Sequence, residues 1–331
     1  MSSFRLPTPD AQVQPRFAGL ATLLRAPYQA DFTDLDIALI GIPSEFTVFR
    51  NGTRWGPSQV RDASRVIRPL NSETRLDPFK MQSVADVGDV AVNPLSLPDT
   101  NTRIQASFEE LRDAGVRVLA VGGDHGVSLP VLRALAPEGP FGLLHIDAHH
   151  DTHDELYGIR DNHATLIRRA IEESLVDAER TVSIGLRGSL YHEDELSWGE
   201  SQGINVISPS DLAERGTRQV IADIRSIFGD RPIYVTLDID GLDPSEAPGT
   251  GVPEPGGLSF ADTRDVLRGM SGLPVLGADL VEVSPPLDPS GRTGIVAANL
   301  LFEQLCLLAE SAPHMRGDPR QPAVESANAG A

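Results

Sequence analysis

Short apolar runs rich in β-branched residues alternate with longer amphipathic stretches along most of this 331-residue chain, and few folds accept that order. Runs at 36–43 (DIALIGIP), 116–123 (VRVLAVGG), 141–147 (FGLLHID), 181–187 (TVSIGLR), 232–240 (PIYVTLDID) and 275–284 (VLGADLVEVS) predict strands. Between them, 102–115, 128–139, 217–229 and 259–272 carry helical periodicity, and several close on the glycine favoured after a helix C-terminus. Strand and helix in alternation imply an α/β fold, a mostly parallel sheet covered by helices on both faces. No repeat of 20–50 residues and no low-complexity linker interrupts the pattern, so 34–310 reads as one domain, with an irregular arm at 1–33 and a loose tail at 311–331. The Pro- and Gly-dense segment 243–258 is expected to be a rigid surface loop with strained turns.

Charge excludes some partners. A net charge of −19 argues against nucleic acid or an anionic membrane, both of which favour a basic face. No run is expected to meet the roughly 20 apolar residues of a membrane span, and the start lacks a signal-peptide layout, so the expected location is cytoplasmic. The lone Cys306 lies in an apolar run and is expected to be buried filler.

Chemistry concentrates elsewhere. Six of the eight histidines fall between His125 and His163. GGDHG places Asp124 and His125 just after one strand; HIDAHHDTHD places Asp147, His149 and Asp151 at i, i+2 and i+4 where another ends; LDIDGLDP places Asp238 and Asp240 at the end of a third. In extended backbone that spacing turns Asp147, His149 and Asp151 to one side. Ligands bind beyond the carboxyl ends of strands in open parallel sheets, so the three clusters are expected to meet. Four carboxylates held together need a counter-charge, and two divalent cations would balance Asp147, Asp151, Asp238 and Asp240. With His125 and His149, the oxygen and imidazole donors suit Mn²⁺ best, with Ni²⁺, Co²⁺ or Zn²⁺ as alternatives. The plainer role for each aspartate is to cap the turn after its strand. His145 is open to a core position, His150 is expected to face away from Asp147, and His153, His192 and His314 are expected at the surface.

GGDHG, DAHHD and DIDGLDPSEAPGTGVPEPGGL resemble, in order, the metal-binding signatures of the arginase/agmatinase ureohydrolase family, and the likeness runs from about Phe17 to Leu308. The resemblance implies a three-layer α/β/α fold of arginase type, a dinuclear manganese site and a trimer or hexamer. It implies that His125 and Asp151 serve one ion, that His149 and Asp240 serve the other, and that Asp147 and Asp238 bridge both. His163 matches the family's proton-shuttling histidine, and Glu282 matches the glutamate that holds the substrate guanidinium. The implied reaction hydrolyses a guanidino compound to urea and an amine, with water activated by the two metals.

Two positions depart from the family pattern: His150 stands where small polar residues are common, and Ala164 replaces a glycine after His163, which would strain the turn if that glycine had a positive φ. DVGDVAVNPLSL and the segment around Glu282 resemble the branch containing guanidinobutyrase, guanidinopropionase and agmatinase. A guanidino acid such as 4-guanidinobutyrate or 3-guanidinopropionate is therefore the expected substrate. Agmatinase and a non-catalytic metal-binding paralogue are the alternatives. Arg50, Tyr157 and Arg160, in rim segments 44–57 and 154–162, are the candidates for holding the substrate's tail.

Overall fold

The computed structural model describes residues 8–137 and 139–311. Eight parallel strands form one sheet: β1 Ile37–Ile42, β2 Val84–Asp89, β3 Arg117–Gly122, β4 Phe141–Ile146, β5 Val176–Ile184, β6 Asn205–Ile207, β7 Ile233–Asp238 and β8 Val275–Val281, in the spatial order β2-β1-β3-β8-β7-β4-β5-β6. β1, β3, β4 and β7 are buried along their whole length, which is why they read as unbroken apolar runs. All six expected strands are present; β2 and β6 are additional.

The helices are α1 Gly56–Ala63, α2 Pro78–Met81, α3 Leu97–Asp113, α4 Ser128–Leu135, α5 Leu166–Glu172, α6 Asp194–Gln202, α7 Pro209–Arg215, α8 Thr217–Phe228, α9 Phe260–Gly269 and α10 Arg292–Glu310. Strand side chains alternate between two cores. Ile37, Leu39, Leu144 and Ile146 pack with α8, α9 and α10, whereas Ala38, Ile40 and Leu143 pack with α3, α4 and α5. This is the three-layer architecture. In α8, Val220, Ile224 and Phe228 recur every four residues and are fully buried, as an amphipathic helix on a sheet requires.

Two expectations need correction. α10 is long and apolar enough to cross a membrane by length and composition, contrary to the reading that no segment approaches that threshold. Its Leu300, Leu301, Leu305 and Leu308 are fully buried in the core, which accounts for the apolarity. Within the N-terminal arm, Leu23, Leu24 and Ala26 are core residues. Segment 243–258 is only partly at the surface, since Ala247 and Thr250 are buried, and its one residue with positive φ is Gly256. The tail 312–331, with His314, lies outside the described residues. Cys306 is buried, and burial pushes its thiol up to about 12.

Candidate metal centre

Four neighbouring strands, β3, β8, β7 and β4, bring the candidate residues to one place at their C-terminal ends. His125 opens a 3-10 turn after β3, Asp147 follows β4, Asp238 ends β7, Asp240 sits in the 3-10 turn Ile239–Gly241, and Glu282 follows β8. All are buried, as is Asp151, while His149 is half-buried.

Asp147, His149 and Asp151 do converge, but not by strand alternation. β4 stops at Ile146, and Asp151 adopts a left-handed backbone with φ 53° while its carbonyl accepts the Ile167 N–H at 3.1 Å. A turn tied to the start of α5 delivers the third carboxylate. Glu282 is likewise left-handed, with φ 62°. Such backbone costs roughly 1–3 kcal/mol per residue and persists where its surroundings over-determine it. Gly241 permits the close packing here, because a Cβ on it would lie 3.0 Å from the Asp147 nitrogen.

The capping and ligating roles weighed for these aspartates are not exclusive. Asp147 Oδ1 accepts the His149 N–H at 2.7 Å, Asp238 Oδ1 accepts the Asp240 N–H at 2.8 Å, and Asp240 Oδ1 accepts the Ala148 N–H at 3.1 Å. In Asp238 and Asp240 one oxygen therefore closes backbone and the other faces the cluster, while Asp147 Oδ1 does both, lying 3.5 Å from His149 Nδ1. Asp147 Oδ2, Asp151 Oδ2 and Asp238 Oδ2 lie 3.0, 3.1 and 3.4 Å from His125 Nδ1, and Asp240 Oδ2 lies 3.1 Å from His149 Nδ1. Glu282 follows the same rule: Oε1 accepts the His125 N–H at 2.8 Å, and a Cβ on Gly251 would sit 3.9 Å from Oε2 and 3.5 Å from the Arg50 carbonyl. The absent side chain leaves open the space between those two acceptors.

The tautomer of His125 follows from its neighbours. Its Nε2 lies 2.8 Å from Thr236 Oγ1, whose single hydroxyl hydrogen goes to Asp279 Oδ1 at 2.6 Å. Nε2 must then donate, so in the neutral ring Nδ1 presents a lone pair to three carboxylates, buried and without a hydrogen-bond partner. That arrangement is repulsive unless a cation or a proton stands there. Burial alone would lower the His125 pKa, yet Asp147, Asp151 and Asp238 hold it well above its ordinary value. His149 is likewise lowered by burial but raised by Asp240 and Asp147, to about 12. Burial, Asp240 and Asp147 push Asp238 well up, and burial with Asp124 does the same to Glu282. The donors form two groups, His125, His145, Asp147 and Asp151, and Asp147, His149 and Asp240, and Asp147 belongs to both. Borderline and hard donors around one shared carboxylate fit a pair of divalent cations.

A match to the arginase family model spans residues 35–306. The chain belongs to the arginase family. Among family members, the chain is 46% identical over 307 residues to guanidinopropionase of Pseudomonas aeruginosa, covering 92% of this chain and 96% of that protein. It is 42% identical to guanidinobutyrase of the same organism, covering 89% and 94%. The structure matches proclavaminate amidino hydrolase from Streptomyces clavuligerus with a TM-score of 0.87 at 34% identity, covering 90% of this chain and all of that one.

The remaining candidates are in varied settings. His163 is half-buried with Nδ1 unpartnered, and its backbone nitrogen would lie 3.1 Å from a Cβ on Gly126, the residue after His125. Ala164 has no positive φ, so the strain considered for that substitution is absent. His150 is half-buried, and burial lowers its pKa. His153 is half-buried rather than on the surface and pairs with Glu195 at 3.3 Å. Arg50 is exposed over the Phe49 ring, Tyr157 is 85% exposed, and Arg160 is held by Asp154 and Glu172 at 3.3 and 3.2 Å. Two residues were not singled out as contributors from sequence. Arg187 donates to the carbonyls of Asp240, Gly241, Leu242 and Glu254, clamping segment 243–258 against the centre. His145, open to a core position, contacts Asp147 directly.

Proposed function

We propose that this chain hydrolyses a guanidino compound to urea and an amine at a centre of two divalent cations, with manganese as the physiological metal. The observation that carries this reading is the sharing of Asp147 between two donor groups built from three strand ends. His125 and Asp151 hold one ion, His149 and Asp240 the other, and Asp147 and Asp238 span both. The chemistry such a pair supplies when bound is a water acidified enough to act as nucleophile near neutral pH.

The residues do the rest. Glu282, with Oε1 fixed by the His125 N–H, offers Oε2 to the guanidinium N–H groups in a charge-assisted pairing. This would place the planar cation beside the carboxylate cluster, where Gly251 adds no side chain near Glu282 Oε2 and the Arg50 carbonyl. The water oxygen would add to the guanidinium carbon as one water proton passes to the carboxylate cluster. His163 would then give a proton to the substituted nitrogen as its C–N bond breaks, the remaining hydroxyl proton would pass to the departing amine as the urea C=O forms, and the proton held by the cluster would return to His163.

The substrate is a guanidino acid, 4-guanidinobutyrate or 3-guanidinopropionate, in keeping with the names of the two Pseudomonas relatives. Arg50, exposed and without a carboxylate partner among the described residues, would take the carboxylate tail, with Tyr157 as a further contact; Arg160 would contribute less because Asp154 and Glu172 already engage it. We assign the protein to the cytoplasm as a homotrimer or homohexamer. Urea release is measured from 4-guanidinobutyrate, 3-guanidinopropionate, agmatine and arginine, with metal content determined on the same Mn²⁺-loaded sample. Turnover of a guanidino acid is expected. Preference for agmatine would overturn the substrate, and no urea with two cations bound would overturn the reaction and leave a binding paralogue.

A further inference from the structure

We propose that His145 is a positioning residue that fixes the plane of Asp147 and thereby sets the loading of the second of two cations, an inference that rests on the two-cation reading above. His145 is fully buried on β4, two residues before Asp147. Its Nε2 lies 2.9 Å from Asp147 Oδ2, and its Nδ1 lies 3.0 Å from Ser183 Oγ on β5, where the two residues are register partners. An ionised carboxylate only accepts, so Nε2 donates. Both ring nitrogens are therefore engaged, unlike His125, whose Nδ1 stands bare toward the carboxylates. His145 is wired as a tether and not as a ligand.

The tether matters because an aspartate's terminal torsion is broad. The His149 N–H anchors Oδ1 at 2.7 Å, but one hydrogen bond leaves the carboxylate plane free to swing. The second, from His145 to Oδ2, fixes it. The plane so fixed sends Oδ2 toward His125, at 3.0 Å, and Oδ1 toward His149 Nδ1, at 3.5 Å, one oxygen to each half of the centre. A buried imidazole is a costly way to fill a sheet interior where leucine would serve, as Leu143 does on the same strand.

His145→Asn keeps an amide near Ser183 but cannot reach Asp147, whereas the longer His145→Gln can. Manganese is titrated into metal-free wild type and both variants, with calorimetry reading affinity and low-temperature electron paramagnetic resonance reading exchange coupling between paired ions. Wild type is expected to take two equivalents with a coupled signal. His145→Asn should keep the first cation, bind the second roughly 10–100-fold more weakly and lose the coupled signal, while His145→Gln restores much of both. Equal behaviour of the two variants, or wild-type coupling in His145→Asn, would overturn the proposal. Should His145→Asn fail to fold, loss of coupling in a folded His145→Gln overturns it instead. A wild type that binds a single equivalent would sink the two-cation reading itself.

Discussion

The cradle at the strand ends and the rim above it are built on opposite terms. In the cradle, Asp147, Asp238, Asp240 and Glu282 are buried, and each has one oxygen pinned by a backbone N–H. On the rim, Phe49 and Tyr157 are 67% and 85% exposed, and Arg160 ties only to the surface acids Asp154 and Glu172. Four contiguous central strands fix the cradle, whereas connections without regular structure carry the rim. On the proposed reading, the groups that would break the bond sit at fixed strand ends, and those that would select a substrate's tail sit on connections that can change without disturbing them.

Substitutions should reproduce that division. Asp238→Asn, which keeps the turn-closing oxygen but removes a charge, should lower urea release on the order of 10³-fold or more; a loss within tenfold would show that the cradle is not the reaction centre. Glu282→Gln should lower kcat/KM roughly 10–100-fold with metal content unchanged, the cost of exchanging a charged for a neutral acceptor, and unchanged kinetics would remove Glu282 from substrate binding.

Protons and metal should compete for the cradle. His149, raised from 6.5 to about 12, adds stability to the metal-free fold that is whole below pH 6.5 and fades as pH rises toward 12. Asp238 and Glu282, also raised, likewise lose stability as pH climbs above their ordinary range. Asp147, which burial would raise but its hydrogen bonds to His125, His145 and His149 hold well below 3.8, works in the opposite sense and only in acid. The chelated protein should therefore lose several degrees of melting temperature, roughly, between pH 6 and 9, and the manganese-loaded protein should not. Parallel melting curves with and without chelator would contradict this.

The rim should respond least. Arg50→Ala and Tyr157→Ala should raise KM for a guanidino acid a few-fold, roughly, at constant kcat, and Arg160→Ala less than twofold, roughly. A collapse of kcat in any of the three would move that residue from rim to cradle.

The same contrast explains what could be read from sequence. Six strands were legible because burial on both faces leaves continuous apolar runs. β2 was not, since VADVGD carries Asp86, buried against Arg61, and Asp89, and β6 has only three residues. The ligand types were legible as clusters of Asp and His at strand ends, but the period-two reasoning for Asp151 failed because its position depends on a left-handed residue and a bond to Ile167. The division of each carboxylate between backbone and cluster is a tertiary fact with no sequence signature. His145 was the recoverable omission, lying at i−2 from Asp147 on a strand whose other inward residues are apolar.

The bond from the His125 N–H to Glu282 Oε1 would join the proposed grip on the guanidinium to the proposed grip on an ion. Occupancy at one must be felt at the other, and thermodynamic reciprocity makes the influence mutual. A guanidino acid should tighten manganese, measured as an equilibrium affinity against a competing chelator, by the same factor by which manganese tightens the guanidino acid. The protein is then most resistant to stripping while it is working and most vulnerable when starved of substrate.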